Sequence, residues 1–145
     1  MLGLIQRVSQ ASVCIDGTTI GAIDNGILLL LGVQRDDNVD NLRKLLHKVA
    51  NYRIFPDQEQ RMNLSLRDTG GGLLVVSQFT LAADTRKGLR PGFSTAAAPA
   101  TAEALYEQFV SEARALLPYV ACGSFGADMQ VSLINDGPVT FMLEG

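Results

Sequence analysis

The amino-acid sequence predicts an α+β fold, with a mostly antiparallel, barrel-like β-sheet and two packed α-helices in a single domain over residues 1–145. Three observations lead to this prediction. Short apolar segments are separated by turn signals, two longer stretches carry apolar residues at helical spacing, and no repeat or linker divides the chain. A domain of 145 residues buries about 70% of the surface that its unfolded chain exposes.

The first quarter of the chain is predicted to form a small antiparallel unit. Residues 2–8 and 11–16 are predicted strands, and the pair Asp16-Gly17 predicts a hairpin turn between the second of them and the next strand. Asn25-Gly26 then introduces the apolar run 27–33, which suits a strand that is covered on both faces.

Two segments are predicted to be amphipathic helices that pack on the sheet. The first covers residues 37–50, and its apolar stripe is Val39, Leu42, Leu45, Leu46 and Val49. The second begins near Pro99, which suits the first turn of a helix, and ends before Pro118. Its apolar face is Tyr106, Phe109, Val110, Ala113 and Leu117.

The remaining strands are predicted at residues 51–55, 73–78, 130–134 and 139–143. The segment 84–98, which precedes the second predicted helix, has no periodic pattern. A loop of this length inside a compact domain is usually functional or mobile.

The charge of the chain bears on which partners it binds. A net charge of −3 and a pI near 5.0 argue against broad neutralisation of nucleic-acid phosphates, which needs a basic face. One basic cluster, Arg86, Lys87 and Arg90, lies in the loop 84–98. Phosphate contact and simple solvation both explain these charges at this stage.

Cysteine usage and hydropathy predict a cytoplasmic protein with neither a metal nor a membrane segment. Cys14 and Cys122 lie in apolar contexts without a further Cys or His at metal-ligand spacing, so both are predicted to be buried, reduced thiols. No apolar run approaches the roughly 20 residues that span a bilayer. The N-terminal residues lack the basic and apolar pattern of a secretory signal.

Two short polar segments stand out as candidate functional motifs. Ser77-Gln78-Phe79-Thr80 follows an apolar run, at the C-terminal end of a predicted buried strand, where side chains and backbone groups reach a loop edge. Asn135-Asp136-Gly137-Pro138-Val139-Thr140 places a Gly-Pro pair in a strand-like context. Such a pair marks a bend, a sheet edge or a cis bond, and it serves either as an ordinary turn or as a rigid corner against a ligand.

The side chains do not predict a catalytic triad. The single histidine, His47, falls in the middle of the first predicted helix and is expected to be exposed. Ser77 and Thr80 carry hydroxyls without an activating partner in the sequence, and Asp84 and Asp136 are better explained as turn caps than as catalytic carboxylates. Backbone amides at the strand end are therefore the leading candidates for stabilising an oxyanion, where one donor is worth about 3 kcal/mol.

The chain resembles the D-aminoacyl-tRNA deacylases of the widespread bacterial and eukaryotic type. That family is marked by an SQFT motif and an Asn-x-Gly-Pro-x-Thr motif, which correspond here to residues 77–80 and 135–140. Similar segments at 4–8, 52–55, 81–84 and 128–133 extend the likeness over essentially the whole chain. The resemblance implies hydrolysis of the ester of D-aminoacyl-tRNA, and of glycine mischarged onto tRNA(Ala), by a homodimer without a cofactor or metal.

The resemblance also implies roles for residues in both motifs. Main-chain groups of Ser77, Gln78, Phe79 and Thr80, together with the terminal 2′-hydroxyl of tRNA, are expected to carry the chemistry, and the Thr80 side chain is a minor alternative as nucleophile. Gly137-Pro138 is expected to be a cis peptide that reaches into the partner protomer's site, where its carbonyls exclude L-aminoacyl groups.

Three residues, Arg7, Asn135 and Thr140, are expected to support the site, and the side chain of Phe79 has two possible positions. Arg7 either bonds carbonyls of the Gly-Pro corner or is a surface arginine, while Asn135 and Thr140 are expected to brace the corner. Phe79 is either a wall of the pocket or a core residue, since strand alternation from the preceding run allows both.

Two other classes of function stay open on the sequence alone. One is a non-catalytic, dimeric module that binds the end of a nucleic acid through the basic loop and the SQFT segment. The other is a purely structural dimer in which the Gly-Pro corner is an assembly device.

Overall fold

The computed structural model describes residues 1–86 and 88–145. Within these residues the strands are β1 Leu2–Ile15, β2 Thr18–Ile23, β3 Gly26–Gly32, β4 Phe55–Pro56, β5 Met62–Leu64, β6 Gly72–Ser77, β7 Val120–Cys122 and β8 Gln130–Glu144. The helices are α1 Val39–Asn51, α2 Leu66–Thr69 and α3 Pro99–Leu116, and a 3₁₀ turn, Phe79–Ala82, follows β6.

Strand β1 organises the main sheet. One edge of β1 pairs antiparallel with β8 along nearly its whole length, and the other pairs antiparallel with β3 and then with β2. Strand β6 lies parallel to β3, and β7 lies parallel to β6. The predicted α+β class with a mostly antiparallel, barrel-like sheet is confirmed, and the two parallel pairs were not predicted.

The apolar side chains form two cores. The larger core lies between the sheet and the helices α1 and α3, and it includes Ile27, Leu29, Leu73 and Val75. The smaller core lies inside the curved sheet, where Leu28, Leu74 and Val76 pack with Val131 of β8 and other residues. Because neighbouring residues of β3 and β6 enter different cores, both strands are buried on both faces.

The structure corrects the prediction of separate strands at two places. Residues 2–8 and 11–16 form one strand, because β8 pairs with β1 through the predicted break and only the register shifts there. Residues 130–134 and 139–143 likewise belong to one strand, β8, which contains Gly137-Pro138.

The helices follow the prediction closely, and short elements were missed. Helix α1 begins after the N-cap Asn38, and α3 begins with Pro99. Helix α1 continues to Asn51, so the strand predicted at 51–55 is reduced to β4, and the four-residue helix α2 was not predicted. In the described part of the chain, no helix combines the length and the apolar character that crossing a membrane requires.

Both cysteines are free and half-buried, so the prediction of fully buried thiols is wrong. Cys122 is the last residue of β7, at an edge of the sheet, and its Sγ lies 3.4 Å from Nη2 of the exposed Arg114. An edge strand has a paired neighbouring strand on only one side. The strand-like pattern around a cysteine does not reveal whether its strand lies at an edge.

Candidate active site

An apolar cavity of about 640 Å³ lies at the C-terminal end of β6. Its walls come from the end of β6, the 3₁₀ turn, the beginning of α3 and the segment that precedes β8. Aromatic and sulphur-containing side chains dominate these walls, and they include Phe79, Phe93, Phe125 and Met129. Polar groups reach the cavity from Ser77, Gln78 and Asp128. A mostly apolar cavity of this size with a few polar groups is typical of a small-molecule site.

The SQFT segment forms the edge of this cavity and turns there. The Gln78 amide donates to the carbonyl of Leu31 at 2.8 Å, so it is not free to face a ligand. The first amide bonded within the 3₁₀ turn is that of Leu81, which donates to the Gln78 carbonyl at 3.2 Å. The amides of Phe79 and Thr80 precede it and have no backbone acceptor among the described residues. Of the backbone amides predicted to donate to an oxyanion, those of Phe79 and Thr80 are therefore available to a ligand.

Phe79 lies on the wall of the cavity and not in the core. Its side chain is 57% exposed, and its ring centroid is 4.9 Å from that of Phe93. The core alternative rested on strand alternation, which stops at Ser77 because the chain enters the 3₁₀ turn. The two rings together form an aromatic surface beside the free amides.

The hydroxyl of Thr80 is held by a neighbouring amide and not by a base. The side-chain amide of Gln78 donates a hydrogen bond to Thr80 Oγ1. Within residues 1–86 and 88–145, neither Ser77 nor Thr80 hydrogen-bonds to a histidine or a carboxylate. His47 is exposed on α1, as predicted. This arrangement provides no side-chain activation of a nucleophile.

The Gly-Pro corner is a bulge of β8. Thr140 of β8 pairs with Gln6 of β1, and Asn135 pairs with Val8, so residues 136–139 lie opposite Arg7 alone. The Gly137-Pro138 peptide bond is cis, and both residues are exposed. The bulge lifts the corner out of the sheet and towards solvent.

Arg7 holds this bulge from below. Its Nε donates to the carbonyl of Asp136 at 2.8 Å, and its Nη1 donates to the carbonyl of Ile54 at 2.6 Å. The Asp136 carboxylate lies 3.5 Å from Arg7 Nε, and the arginine side chain is only 12% exposed. Arg7 is therefore not an ordinary surface arginine of a strand.

Asn135 and Thr140 close the bulge at its two ends. Asn135 Oδ1 accepts from the Val139 amide at 2.7 Å, and Asn135 Nδ2 donates to Thr140 Oγ1 at 2.9 Å. Gly137 has φ +148°, and a Cβ there would lie 2.5 Å from Val139 Cγ2. Only glycine fits this backbone conformation without displacing its neighbours.

The cavity and the corner are separate within one chain. Val131 of β8 lines the cavity, whereas neither Gly137 nor Pro138 is among the described residues that line it. The structure thus brings together Ser77, Gln78, Phe79 and Thr80 at the cavity. It brings together Arg7, Asn135, Gly137, Pro138 and Thr140 at the corner.

Sequence reasoning missed part of the cavity wall. Phe93 belongs to the segment 84–98, whose length, lack of periodic pattern and basic cluster do not indicate an aromatic wall. The wall is fixed by hydrogen bonds from Thr95 Oγ1 to the Ala82 carbonyl, and from the Arg35 amide to the Thr95 carbonyl at 3.0 Å. These contacts join distant parts of the chain, so no local pattern signals them.

Among the described residues of the basic loop, Arg86 and Asp84 form an ion pair. Arg86 donates from Nε and Nη2 to the two carboxylate oxygens of Asp84, each at 2.8 Å, and these bonds hold the pKa of Asp84 well below its ordinary value. The Asp84 carboxylate also accepts from the Arg86 amide, as expected of a turn-capping residue. Lys87 lies outside the described residues. Among those described, no three His, Cys, Asp or Glu side chains cluster as metal ligands do.

Comparison with known proteins shows the family of the chain. The family model described as D-Tyr-tRNA(Tyr) deacylase matches residues 4–144. A D-aminoacyl-tRNA deacylase of Stutzerimonas stutzeri is 62% identical over 144 residues, which cover 99% of each chain. One from Teredinibacter turnerae is 64% identical over 141 residues, or 97% of each chain.

Two solved structures share the fold. One, titled c-Myc DNA Unwinding Element Binding Protein, has a TM-score of 0.96 and 38% identity, and the match covers 100% of this chain and 99% of that one. The other is titled as a probable eukaryotic D-amino acid tRNA deacylase. It has a TM-score of 0.86 at 18% identity, over 99% of this chain and 98% of that one, and supports the fold alone.

The family model and these relatives place the chain among hydrolases that act on ester bonds. The chain belongs to the D-Tyr-tRNA(Tyr) deacylase family. The resemblance stated from the two motifs is confirmed, as is the prediction that the protein is an enzyme.

Proposed function

We propose that the enzyme binds the 3′-terminal nucleoside of D-aminoacyl-tRNA in the apolar cavity and hydrolyses the ester there. The backbone amides of Phe79 and Thr80 stabilise the oxyanion that forms during this reaction. One observation carries this proposal: two amides without backbone acceptors stand at the edge of an aromatic-walled cavity. Preorganised amides of this kind stabilise the oxyanion of acyl transfer without reorganising during the reaction.

The cavity suits a nucleoside because of its walls. Purine bases stack on aromatic side chains, and each stacked base is worth about 1–3 kcal/mol. Phe79 and Phe93 offer such a surface on one side, and Phe125 and Met129 add apolar walls. The volume of about 640 Å³ accommodates a nucleoside and leaves room for the ester at the cavity's edge.

The chemistry follows from the position of these amides. The oxygen of a water molecule attacks the ester carbonyl carbon, and the carbonyl oxygen becomes an oxyanion that accepts from Phe79 and Thr80. The bond from carbon to the ribose oxygen then breaks, and that oxygen takes up the proton that water releases. The neighbouring ribose hydroxyl orients the water, because the cavity fixes the sugar beside it. Ser77 and Gln78 shape the backbone that presents the two amides.

Chirality is proposed to be checked by the corner of a second copy. Gly137 and Pro138 are exposed and lie away from their own cavity, while Arg7, Asn135 and Thr140 hold the bulge firmly. In a homodimer, the corner of one protomer closes the cavity of its partner, and its backbone carbonyls occupy the space that an L side chain needs. A fixed backbone wall rejects more strongly than the roughly 1–3 kcal/mol that one methylene provides in an adaptable pocket.

A glycyl ester fits beside such a wall, because glycine has no side chain that could collide with the backbone of the corner. The same site is therefore proposed to release glycine that was mischarged onto tRNA(Ala). We further expect the protein to be cytoplasmic, because aminoacyl-tRNA is made and used there, and cell fractionation tests this expectation.

The central experiment compares esters that differ only in handedness. Purified enzyme should hydrolyse D-Tyr-tRNA and glycyl-tRNA(Ala) and leave L-Tyr-tRNA intact. Equal turnover of D-Tyr-tRNA and L-Tyr-tRNA would contradict the role of the corner. Turnover of D-Tyr-tRNA without glycyl-tRNA(Ala) would restrict the proposal to D-amino acids.

A mixing experiment tests whether the corner acts on the partner. Gly137→Ala displaces the corner, since its Cβ would meet Val139, and Phe79→Ala damages the cavity. Refolding the two variants together creates dimers in which one site combines an intact cavity with an intact corner. The preference for D over L should then rise above that of Gly137→Ala alone, whereas a corner that acts within its own chain predicts no rise.

A second candidate is binding of a nucleic-acid end without catalysis. One observation favours it: the solved structure at 38% identity is titled as a DNA unwinding element binding protein. This activity predicts tight, salt-sensitive binding of uncharged RNA or DNA. The net charge of −3 makes such binding weak, so we expect it to be minor beside ester hydrolysis.

A further inference from the structure

Residues 84–86 and 88–92, here called the finger, belong to a small loop beside the cavity. The finger begins shortly after the 3₁₀ turn that contains Phe79 and Thr80, and it ends just before Phe93. Asp84 and Gly92 close its base by exchanging backbone hydrogen bonds of 2.7 and 3.2 Å. The C-terminal end of the finger thus adjoins Phe93 of the aromatic wall, and its N-terminal end follows the 3₁₀ turn that contains Phe79.

Arg90 is the cation that the finger offers to a partner. Arg86 is engaged by the carboxylate of Asp84. Arg90 is exposed and makes no ion pair or side-chain hydrogen bond with any residue of 1–86 or 88–145. An exposed guanidinium with a free fork of donors is suited to a phosphate.

Arg90 also lies at the right distance from the cavity. Phe93 lies three positions after Arg90 in the sequence, and an extended chain spans at most about 3.5 Å per residue, so their Cα atoms lie within about 11 Å. Asp128, which lines the cavity, has an exposed carboxylate that repels a phosphate. A nucleotide chain that leaves the cavity is therefore expected to pass the finger and not Asp128.

We propose that the finger binds the phosphodiester backbone of tRNA immediately 5′ to the terminal nucleoside, with Arg90 as the phosphate contact. The inference depends on the proposed function, because the terminal nucleoside has to occupy the cavity. It also explains how an acidic protein of net charge −3 binds an RNA substrate: the contact is local and needs few phosphates.

The test compares a full substrate with one that lacks phosphates. Arg90→Gln should lower kcat/KM for D-Tyr-tRNA about tenfold, mainly through KM, and should reduce the slope of log kcat/KM against log salt by about 0.7. Hydrolysis of the D-tyrosyl ester of adenosine should be unchanged. Arg90→Lys should keep most of the activity, since it preserves the charge. Arg61→Gln, which removes an exposed arginine paired with Glu59, is the matched control and should change neither substrate.

Each contrary result has a separate meaning. Equal losses on both substrates would show that Arg90 supports the fold of the wall and would overturn the proposal. Unchanged kinetics on D-Tyr-tRNA would overturn it as well. Failure of the unaltered enzyme to hydrolyse either D-tyrosyl ester would instead refute the proposed function. If neither ester is hydrolysed, a binding assay still tests the phosphate contact. Equal affinity of the Arg90→Gln and unaltered proteins for uncharged tRNA would overturn it.

Discussion

Arg7 ties the carbonyl of Asp136 to the carbonyl of Ile54 by donating to both at once, at 2.8 Å and 2.6 Å. The guanidinium thereby joins the bulge of β8 to the segment that precedes β4. Its planar fork fixes two directions together, and a lysine ammonium offers only a point charge. The corner is thus held at one position relative to the sheet.

Replacing Arg7 by lysine should weaken discrimination more than catalysis. Loss of one hydrogen bond from a charged group costs about 1.5–3 kcal/mol, and 1.4 kcal/mol corresponds to a tenfold change. We expect the ratio of D-Tyr-tRNA to L-Tyr-tRNA hydrolysis to fall about tenfold in Arg7→Lys. Rates measured with both esters under the same conditions give this ratio.

Arg43→Lys is the matched control for this change. Arg43 is an exposed arginine of α1 whose partner is Glu112, away from both motifs. The control should keep the ratio of the unaltered enzyme. A ratio that stays unchanged in Arg7→Lys, with only the melting temperature lowered, would contradict the role given to Arg7.

Gly32 should be required for the position of the 3₁₀ turn. A Cβ at Gly32 would lie 3.0 Å from Leu81 Cβ and 3.2 Å from the Gln78 carbonyl oxygen, so alanine has to push the turn outwards. Because a small misplacement of catalytic donors is costly, we expect kcat to fall at least about tenfold in Gly32→Ala while KM changes little.

Gly3→Ala provides a comparison for the general cost of crowding. A Cβ there meets only side-chain atoms of Leu29 and Leu45, at 2.9 Å and 3.1 Å, and does not touch the turn. It should lower the melting temperature without lowering kcat of the folded enzyme. Equal losses of kcat in both variants would mean that crowding anywhere in the sheet disturbs the site.

Thr80→Ala should leave much of the activity, because the proposed mechanism uses the amide of Thr80 and not its hydroxyl. The hydroxyl accepts from the Gln78 side chain and has no basic partner in the described part of the chain. We expect kcat to stay within about tenfold of the unaltered value, as judged by single-turnover assays on D-Tyr-tRNA. Complete loss of turnover with unchanged substrate binding would favour a side-chain nucleophile.

Phe109→Ala should destabilise the fold strongly. Phe109 is fully buried in the larger core, where α3 packs on the sheet, so its removal leaves a cavity. Substitutions of this kind cost about 3–5 kcal/mol of unfolding free energy. Met62→Ala, at a side chain that is 53% exposed, should change it by only about 0.5 kcal/mol, and urea unfolding measures both.

The capping box of α2 should make stability depend on acid pH. Asp68 accepts from the hydroxyl of Ser65 at 2.6 Å and from its amide at 2.8 Å, and these bonds lower the pKa of Asp68. A lowered pKa gives stability that is present above the ordinary value and is lost as pH falls through the folded-state value. The melting temperatures of the unaltered protein and Asp68→Ala should therefore differ most near pH 7 and converge towards about pH 2. A constant difference would contradict this origin.

The long amphipathic helices were predictable because each buries one face, so that apolar residues recur at helical spacing along the sequence. Leu42, Leu45 and Val49 of α1 show this pattern directly. Helix α2 is too short to show a period, and the parallel pairing of β6 with β3 depends on residues that are distant in sequence. The continuity of β8 through Pro138 was hidden because proline usually ends a strand, and here it lies in a bulge.

The candidate site was predictable where a motif is local. Residues 77–80 and 135–140 were identified from the sequence as candidate motifs. Phe93 and Phe125 were missed, because they come from irregular segments that only the folded chain brings to the cavity. The hydrogen bond between the Gln78 amide and Leu31 was also unpredictable, since it depends on the register of β6 against β3.

Strand β8 contributes Val131 to the wall of the cavity and, further along, Gly137 to the bulge that Arg7 supports. Substitutions that reshape one end of this strand leave the backbone of the other end in place, since β1 anchors the residues between them. If the corner sets specificity as proposed, selection can alter which amino acids are tolerated without rebuilding the part of the site that breaks the ester. A library of variants mutated around Gly137 should then yield altered substrate range, and one mutated around Val131 should yield altered turnover.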